Sequence, residues 1–291
     1  MLSTLISKQP QSLTFFRSSG PNIHVERYEC GSPTALLLHG GGDGAFVWDS
    51  FAPSLAEYFT TVTIDLRGHG DSGWDQTGRY DVKGYISDVA NVIDRSISDD
   101  FVIIGHSLGA HIAIHLCDIF ACRVAACVLI DYAPELNPEG IEHVRILLRD
   151  SLRFYANVSQ YADWLKATRH LTGHGTLEQI AARAVCRIGG HFRLKVDPAF
   201  VDAFLHMTPD DARILWTLLW KQTCPTLVVR GAGSAVLSQT AAEHLVRVLP
   251  QGELATVSAA GHAVMLDNPA GFACIVLGFL QRILPKSPRR S

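Results

Sequence analysis

The chain contains the stretch Phe101-Val102-Ile103-Ile104-Gly105-His106-Ser107-Leu108-Gly109. Four apolar residues run straight into Gly105, the length and make-up of a buried strand. Immediately afterwards Ala110, Ile112, Ala113 and Leu116 recur at helical spacing. Strand, sharp turn, helix is the setting in which a Gly-x-Ser-x-Gly presents its serine as a nucleophile. Glycine is needed at 105 and 109 because a side chain at either would strike neighbouring backbone in so tight a turn. The serine also stands at a helix N-terminus, where backbone N–H groups favour developing negative charge. The competing reading is an ordinary glycine-rich turn between a strand and a helix.

The alternation continues in both directions from this turn. Thr34 to Leu38, Thr61 to Ile64, Ala126 to Ile130, Thr226 to Val229 and Glu253 to Val257 read as further strands. Helical patterns occupy roughly Val82 to Arg95, Ser107 to Phe120, Ala241 to Leu249 and Pro269 to Leu284. Such alternation predicts an α/β fold with a mostly parallel, doubly wound sheet and helices on both faces. Ile23 to Tyr28 is expected to lead in as an antiparallel strand. Between about Ala133 and Gln222 the alternation breaks into helical patterns without a convincing buried strand, punctuated by Gly173-x-Gly175 and Gly189-Gly190. The expected organisation is therefore a core of residues 1–132 and 223–291. A helical cap, 133–222, is inserted over the C-terminal edge of the sheet, where such folds place ligands. The basic tail from Lys286 is expected to fray.

Composition narrows the class. Of 291 residues 47% are hydrophobic and only 18% charged, so the chain can bury a large core, and disorder is excluded as its main state. A net charge of -3 gives no electrostatic case for nucleic acid as a partner. The start lacks the basic and apolar regions of a signal peptide, and no apolar run is long enough to span a membrane. The seven cysteines are odd in number and form no Cys-x-x-Cys, which favours reduced thiols over a disulfide framework or zinc knuckle. A cytoplasmic protein without metal or cofactor is expected; oligomeric state is left open. His111 and His115 share a helix face, but the glutamate of a His-Glu-x-x-His zinc site is missing.

Two more segments carry chemistry. Leu36-Leu37-Leu38-His39-Gly40-Gly41-Gly42 ends a strand in glycines, which let backbone N–H groups approach an oxyanion closely. The N–H groups of Gly41 and Leu108 would make a two-donor oxyanion hole. A phosphate loop is excluded, since no Lys-Ser/Thr follows. Ala259-Ala260-Gly261-His262 follows the last strand, which positions His262 to take the serine proton. His39, His69 and His106 read as structural histidines of turns.

In these motifs the chain resembles the α/β-hydrolase superfamily. They are His39-Gly40-Gly41, Asp65-Leu66-Arg67-Gly68-His69-Gly70-Asp71-Ser72, Gly105-His106-Ser107-Leu108-Gly109 and Gly261-His262, in that order along nearly the whole chain. The resemblance implies a serine hydrolase with a Ser-His-Asp triad. In most of that superfamily the acid follows the strand after the cap, a few residues past its glycine. Here that segment, Arg230-Gly231-Ala232-Gly233-Ser234-Ala235-Val236-Leu237, holds no carboxylate. Asp131, at the end of Val128-Leu129-Ile130, is the candidate that keeps the chain order Ser, Asp, His; the alternative is a plain strand terminator. This pattern resembles one small branch that includes the (acetamidomethylene)succinate hydrolases of vitamin B6 breakdown, which cleave an enamide bearing carboxylates.

Charge inside the cap is uneven. From Lys166 to Lys195 there are six cations (Lys166, Arg169, Arg183, Arg187, Arg193, Lys195) against Glu178 alone. If this block roofs the site, it would draw in an anionic substrate, with Arg169, His170, Arg187, His191 and Arg193 as candidate binding residues. The alternative is a solvated face, or arginines paired with acids elsewhere. The expected function is hydrolysis of a small-molecule ester, lactone or amide through an acyl-enzyme on Ser107. The rivals are C–C bond hydrolysis or lyase chemistry on the same fold, and a ligand receptor without catalysis.

Overall fold

The computed structural model describes residues 9–17, 20–205 and 212–284. The N-terminal residues read above for a targeting signal lie mostly outside these, and the tail from Lys286 lies wholly outside them. The strands are β1 (Gln11–Phe15), β2 (Ile23–Tyr28), β3 (Thr34–Leu38), β4 (Thr60–Ile64), β5 (Phe101–His106), β6 (Val124–Ile130), β7 (Val185–Ile188), β8 (His191–Leu194), β9 (Thr226–Gly231) and β10 (Gly252–Val257). The helices are α1 (Ala52–Leu55), α2 (Val82–Ser96), α3 (Leu108–Ile119), α4 (Pro138–Ser151), α5 (Val158–Thr168), α6 (His174–Ala184), α7 (Pro198–Leu205), α8 (Ala212–Lys221), α9 (Gln239–Val248), α10 (Val264–Asp267) and α11 (Pro269–Ile283).

Eight strands form one sheet in the order β1-β2-β4-β3-β5-β6-β9-β10. From β4 to β10 every pairing is parallel, and β1 and β2 add an antiparallel edge. The centre is apolar on both faces, as a sheet covered by helices on each side requires. Leu36, Leu37 and Leu38 of β3 and Val102, Ile103 and Ile104 of β5 are all fully buried. Burying each such side chain contributes about 1.5–3 kcal/mol, which holds these two strands in the middle. The chain lays down β3, crosses outward to β4, and returns to place β5 on the other side of β3. Ligands of open α/β sheets bind at this reversal, beyond the carboxyl ends of the strands.

Helix starts are set by side-chain caps. Asp81 accepts from Gly84 N–H at α2, Asn157 from Gln160 N–H at α5, and Ser238 from Ala241 N–H at α9. The stretch between β6 and β9 holds α4 to α8, as the helical patterns predict, and one feature they do not. β7 and β8 pair as a hairpin across Gly189-Gly190, whose φ angles are +56° and +88°. Two consecutive left-handed residues suit a two-residue hairpin turn, and glycine adopts them without steric cost. The four-residue strands are only partly buried, so no apolar run announces them. Among the described residues no helix is long and apolar enough to cross a membrane.

Candidate active site

At the end of β5 the backbone of Ser107 is forced to φ 50° and ψ -115°, a strained conformation for a residue with a side chain. The surroundings over-determine it. Ser107 N–H donates to Ile130 O at 3.1 Å, and Ser107 O accepts from the N–H groups of Ala110 and His111 at 2.9 and 3.1 Å. The flanking glycines permit this closeness: a Cβ on Gly105 would lie 2.4 Å from Gly109 O, and one on Gly109 2.3 Å from Leu38 O. The serine makes no side-chain cap to its own helix. Leu108 is the first residue of α3, and its N–H has no carbonyl one turn back to bond.

On the neighbouring strand, Asp131 ends β6 with φ 48° and is fully buried. Its Oδ2 accepts from His262 Nδ1 at 2.8 Å and from Ser234 Oγ at 2.5 Å, and its Oδ1 accepts from Gly231 N–H at 3.2 Å. A carboxylate only accepts, so His262 carries its proton on Nδ1 and leaves Nε2 as the basic atom. Ser234 Oγ is itself fixed, accepting from Val236 and Leu237 N–H at 3.1 Å each. The segment after β9 that lacks a carboxylate therefore supplies two donors to the carboxylate of β6. Ser234 and Gly231 were not singled out from the sequence; the missing acid between them was the only signal.

The loop that carries His262 is held from three sides. Gly261 N–H donates to Asp267 Oδ2 at 2.8 Å, Gly233 N–H donates to Ala260 O at 2.8 Å, and His106 Nε2–H donates to His262 O at 2.8 Å. The His106 and His262 rings lie 4.7 Å apart. Burial and the neighbouring His262 push the His106 imidazole down to about 3, so it is neutral near pH 7. The glycine loop after β3 is held the same way by His39 and His69. His39 Nδ1–H donates to Gly40 O at 2.7 Å while its Nε2 accepts from Leu66 N–H at 2.9 Å. His69 Nδ1–H donates to Arg67 O at 2.9 Å and its Nε2 accepts from Gly42 N–H at 3.0 Å. These three are the structural histidines the sequence predicts.

Gly41, Ser107 and His262 line one cavity of about 350 Å³, to which α4, α5 and the residues after α5 also contribute. Its wall includes Val144, Leu147, Trp164, Leu171 and Phe204, with Asp43, Arg169, His170 and Asp267 as polar neighbours. Of the cap residues proposed from sequence to meet a substrate, Arg169 and His170 are on the wall. Arg187, His191 and Arg193 belong to the β7–β8 hairpin and are not; the Arg193 guanidinium lies 4.3 Å from the Trp74 ring centre instead.

Four of the six cations of the block pair with acids, three of them with acids outside the segment. Lys166 bonds Glu178 at 2.7 Å, Arg183 binds Glu26 and Asp49, and Lys195 binds Asp71 at 2.7 Å. Arg169 binds Asp43 at 3.1 Å. Burial pushes the Asp43 carboxyl up, but the opposing charges, the Arg169 guanidinium first among them, hold the group below its ordinary value. Much of the excess charge in the sequence is therefore balanced by contacts between segments, which is the alternative of arginines paired with acids elsewhere.

Among the described residues one group has the make-up of a metal site: His24, Asp65 and Asp71. Its atoms already have partners. His24 Nδ1 bonds Asp65 Oδ2 at 2.8 Å, Asp65 Oδ1 accepts from Ala45 N–H at 2.6 Å, and Asp71 pairs with Lys195. The group ties β2 to the loop after β4. His111 and His115 stack at 5.5 Å, and His111 Nδ1 bonds Tyr132 Oη at 2.9 Å.

A strained serine after β5, a half-buried His262 bonded to the buried Asp131 after β6 and a glycine loop beside them define a class. Residues 35–273 match the model of the alpha/beta hydrolase family, and the chain belongs to that family; it is a hydrolase of the α/β-hydrolase type. It is 24% identical over 249 residues to a 2-(acetamidomethylene)succinate hydrolase of Mesorhizobium japonicum, covering 81% of this chain and 84% of that protein. It is 26% identical over 281 residues to an esterase of Mycobacterium tuberculosis, covering 90% and 91%. Its fold is similar to the crystal structure of E-2-(acetamidomethylene)succinate hydrolase, with a TM-score of 0.83 at 22% identity over 95% of this chain and 100% of that one.

Proposed function

We propose that the protein is a serine hydrolase of small-molecule esters, lactones or amides, working through a Ser107–His262–Asp131 triad and an acyl-enzyme. The observation that carries this reading is the 2.8 Å bond from His262 Nδ1 to a fully buried Asp131, on the strand next to the one that presents Ser107. Ser107 Oγ attacks the carbonyl carbon while His262 Nε2 takes its proton. The N–H groups of Gly41 and Leu108 hold the oxygen as it gains charge. His262 returns the proton to the leaving group, and water then repeats the sequence to free the acid. Asp131 orients the ring and stabilises the imidazolium, with Ser234 and Gly231 fixing its carboxylate. Residues 133–222 act as a cap over the core of 1–132 and 223–291, supported by the wall that α4 and α5 contribute to the cavity. The odd number of cysteines and the lack of a Cys-x-x-Cys pair support a reducing, cytoplasmic setting.

Asp131→Asn leaves the ring in the wrong tautomer and is expected to cut kcat by about four orders of magnitude. A fluorophosphonate is expected to label the protein, and labelling is expected to vanish in Ser107→Ala. Near-normal turnover in the Asp131 variant removes that residue from the mechanism. Persistent labelling of the Ser107 variant removes the serine.

A further inference from the structure

The described wall of the cavity carries three formal charges: the guanidinium of Arg169 and the carboxylates of Asp43 and Asp267. Arg169 is already bonded to Asp43 at 3.1 Å, and the Asp43 side chain is 10% exposed. Asp267 is satisfied by neutral donors, Thr172 Oγ1–H at 2.5 Å and Gly261 N–H at 2.8 Å, which leave its negative charge in place. The remaining cations of the block are paired away from the cavity, stacked on Trp74, or set on the hairpin outside it. A substrate carboxylate entering here would compete with Asp43 for one guanidinium while facing two carboxylates. An uncharged chain would instead meet Val144, Leu147, Leu148, Trp164, Leu171 and Phe204.

We propose that the site selects substrates whose acyl or leaving group is uncharged and apolar, and that Asp43, by occupying Arg169, excludes anionic ones. Asp43 is thus a specificity-determining residue placed two positions after Gly41. The choice runs opposite to what the charge of the segment suggests in sequence, because the counter-charge comes from the loop after β3. This selectivity rests on Ser107 being the nucleophile.

The test compares two fluorophosphonates of equal chain length, one ending in a methyl group and one in a carboxylate, by their rate constants for labelling Ser107 in the full chain. The wild-type protein is expected to react faster with the methyl-ended probe by at least about tenfold. Asp43→Asn keeps the shape of the side chain and frees the guanidinium, and should move the ratio at least about tenfold toward the carboxylate probe. Arg169→Gln leaves both carboxylates unopposed and should move the ratio the other way. This second variant keeps the question open to refutation should the first fail to fold. Wild-type preference for the carboxylate probe overturns the proposal, as does a ratio that neither variant changes, and in both cases the serine reading survives. No labelling by either probe removes the serine reading, and this proposal with it.

Discussion

The turn around Ser107 and the segment between β6 and β9 border the same cavity but are held by different physics. At the turn the constraints are steric and short: Gly105 and Gly109 sit where any Cβ would overlap a backbone carbonyl. Across the segment, beside buried apolar side chains such as Leu165, Leu177 and Ile180, the links include ion pairs distant in sequence. Arg183 reaches Glu26 and Asp49, Lys195 reaches Asp71, and Arg169 reaches Asp43. A backbone clash is all or none and rises steeply within a few tenths of an ångström. An ion pair at a partly exposed boundary changes gradually with distance, salt and substitution. The part proposed to hold a reactive atom thus has the stiffer constraint, and the part proposed to set what enters includes the softer one.

The largest expected effect tests the stiff side. Gly109→Ala places a methyl group 2.3 Å from Leu38 O, 2.6 Å from Leu38 C and 2.8 Å from His39 O. All three are backbone atoms of β3 and the start of the glycine loop, so α3 must move off the sheet. Destabilisation on the order of 3 kcal/mol or more is expected in urea unfolding, together with loss of fluorophosphonate labelling. A variant within about 0.5 kcal/mol of the parent would show that the turn tolerates displacement, and the contrast drawn above would fail.

The same difference explains what could be read from the residues alone. The strands β3, β5, β6, β9 and β10 and the serine turn were legible because their signals are local: an apolar run, a glycine at fixed spacing, a helical period. Asp131 was legible only by elimination, through the missing acid after β9, and its donors Ser234 and Gly231 became visible only when β6 and β9 were seen side by side. The cation pairs were not legible at all. Arg183 and Glu26 stand 157 residues apart, and nothing near either residue names the other. The β7–β8 hairpin fell between these cases: Gly189-Gly190 signalled a turn, but four-residue strands with little buried surface gave no pattern to frame it.

A smaller effect tests the soft side. Arg183→Met keeps the aliphatic stem but leaves Glu26, whose side chain is 10% exposed, without its cation. Because the Arg183 side chain is 34% exposed, water screens part of the loss, and destabilisation of about 1–2 kcal/mol is expected. The difference from the parent should shrink in 1 M salt, where the screening length is about 3 Å. Unfolding curves at low and high salt decide it. No destabilisation at low salt would mean that this charge does not anchor the segment.

The smallest effect repeats the first substitution where the physics is reversed. Gly175 is the second residue of α6, in the same helix as Arg183, and a Cβ built on it meets nothing within 4 Å. Its φ is not in the left-handed region, so alanine fits the backbone as it stands. Gly175→Ala should therefore stabilise the protein, by up to about 0.5–1 kcal/mol, through restricting the unfolded chain and favouring the helix. One methyl group added at 109 and the same group added at 175 are expected to differ in sign. If the Gly175 variant instead loses stability, this part of the segment is under a steric constraint like that of the turn, and the contrast between the two regions fails here.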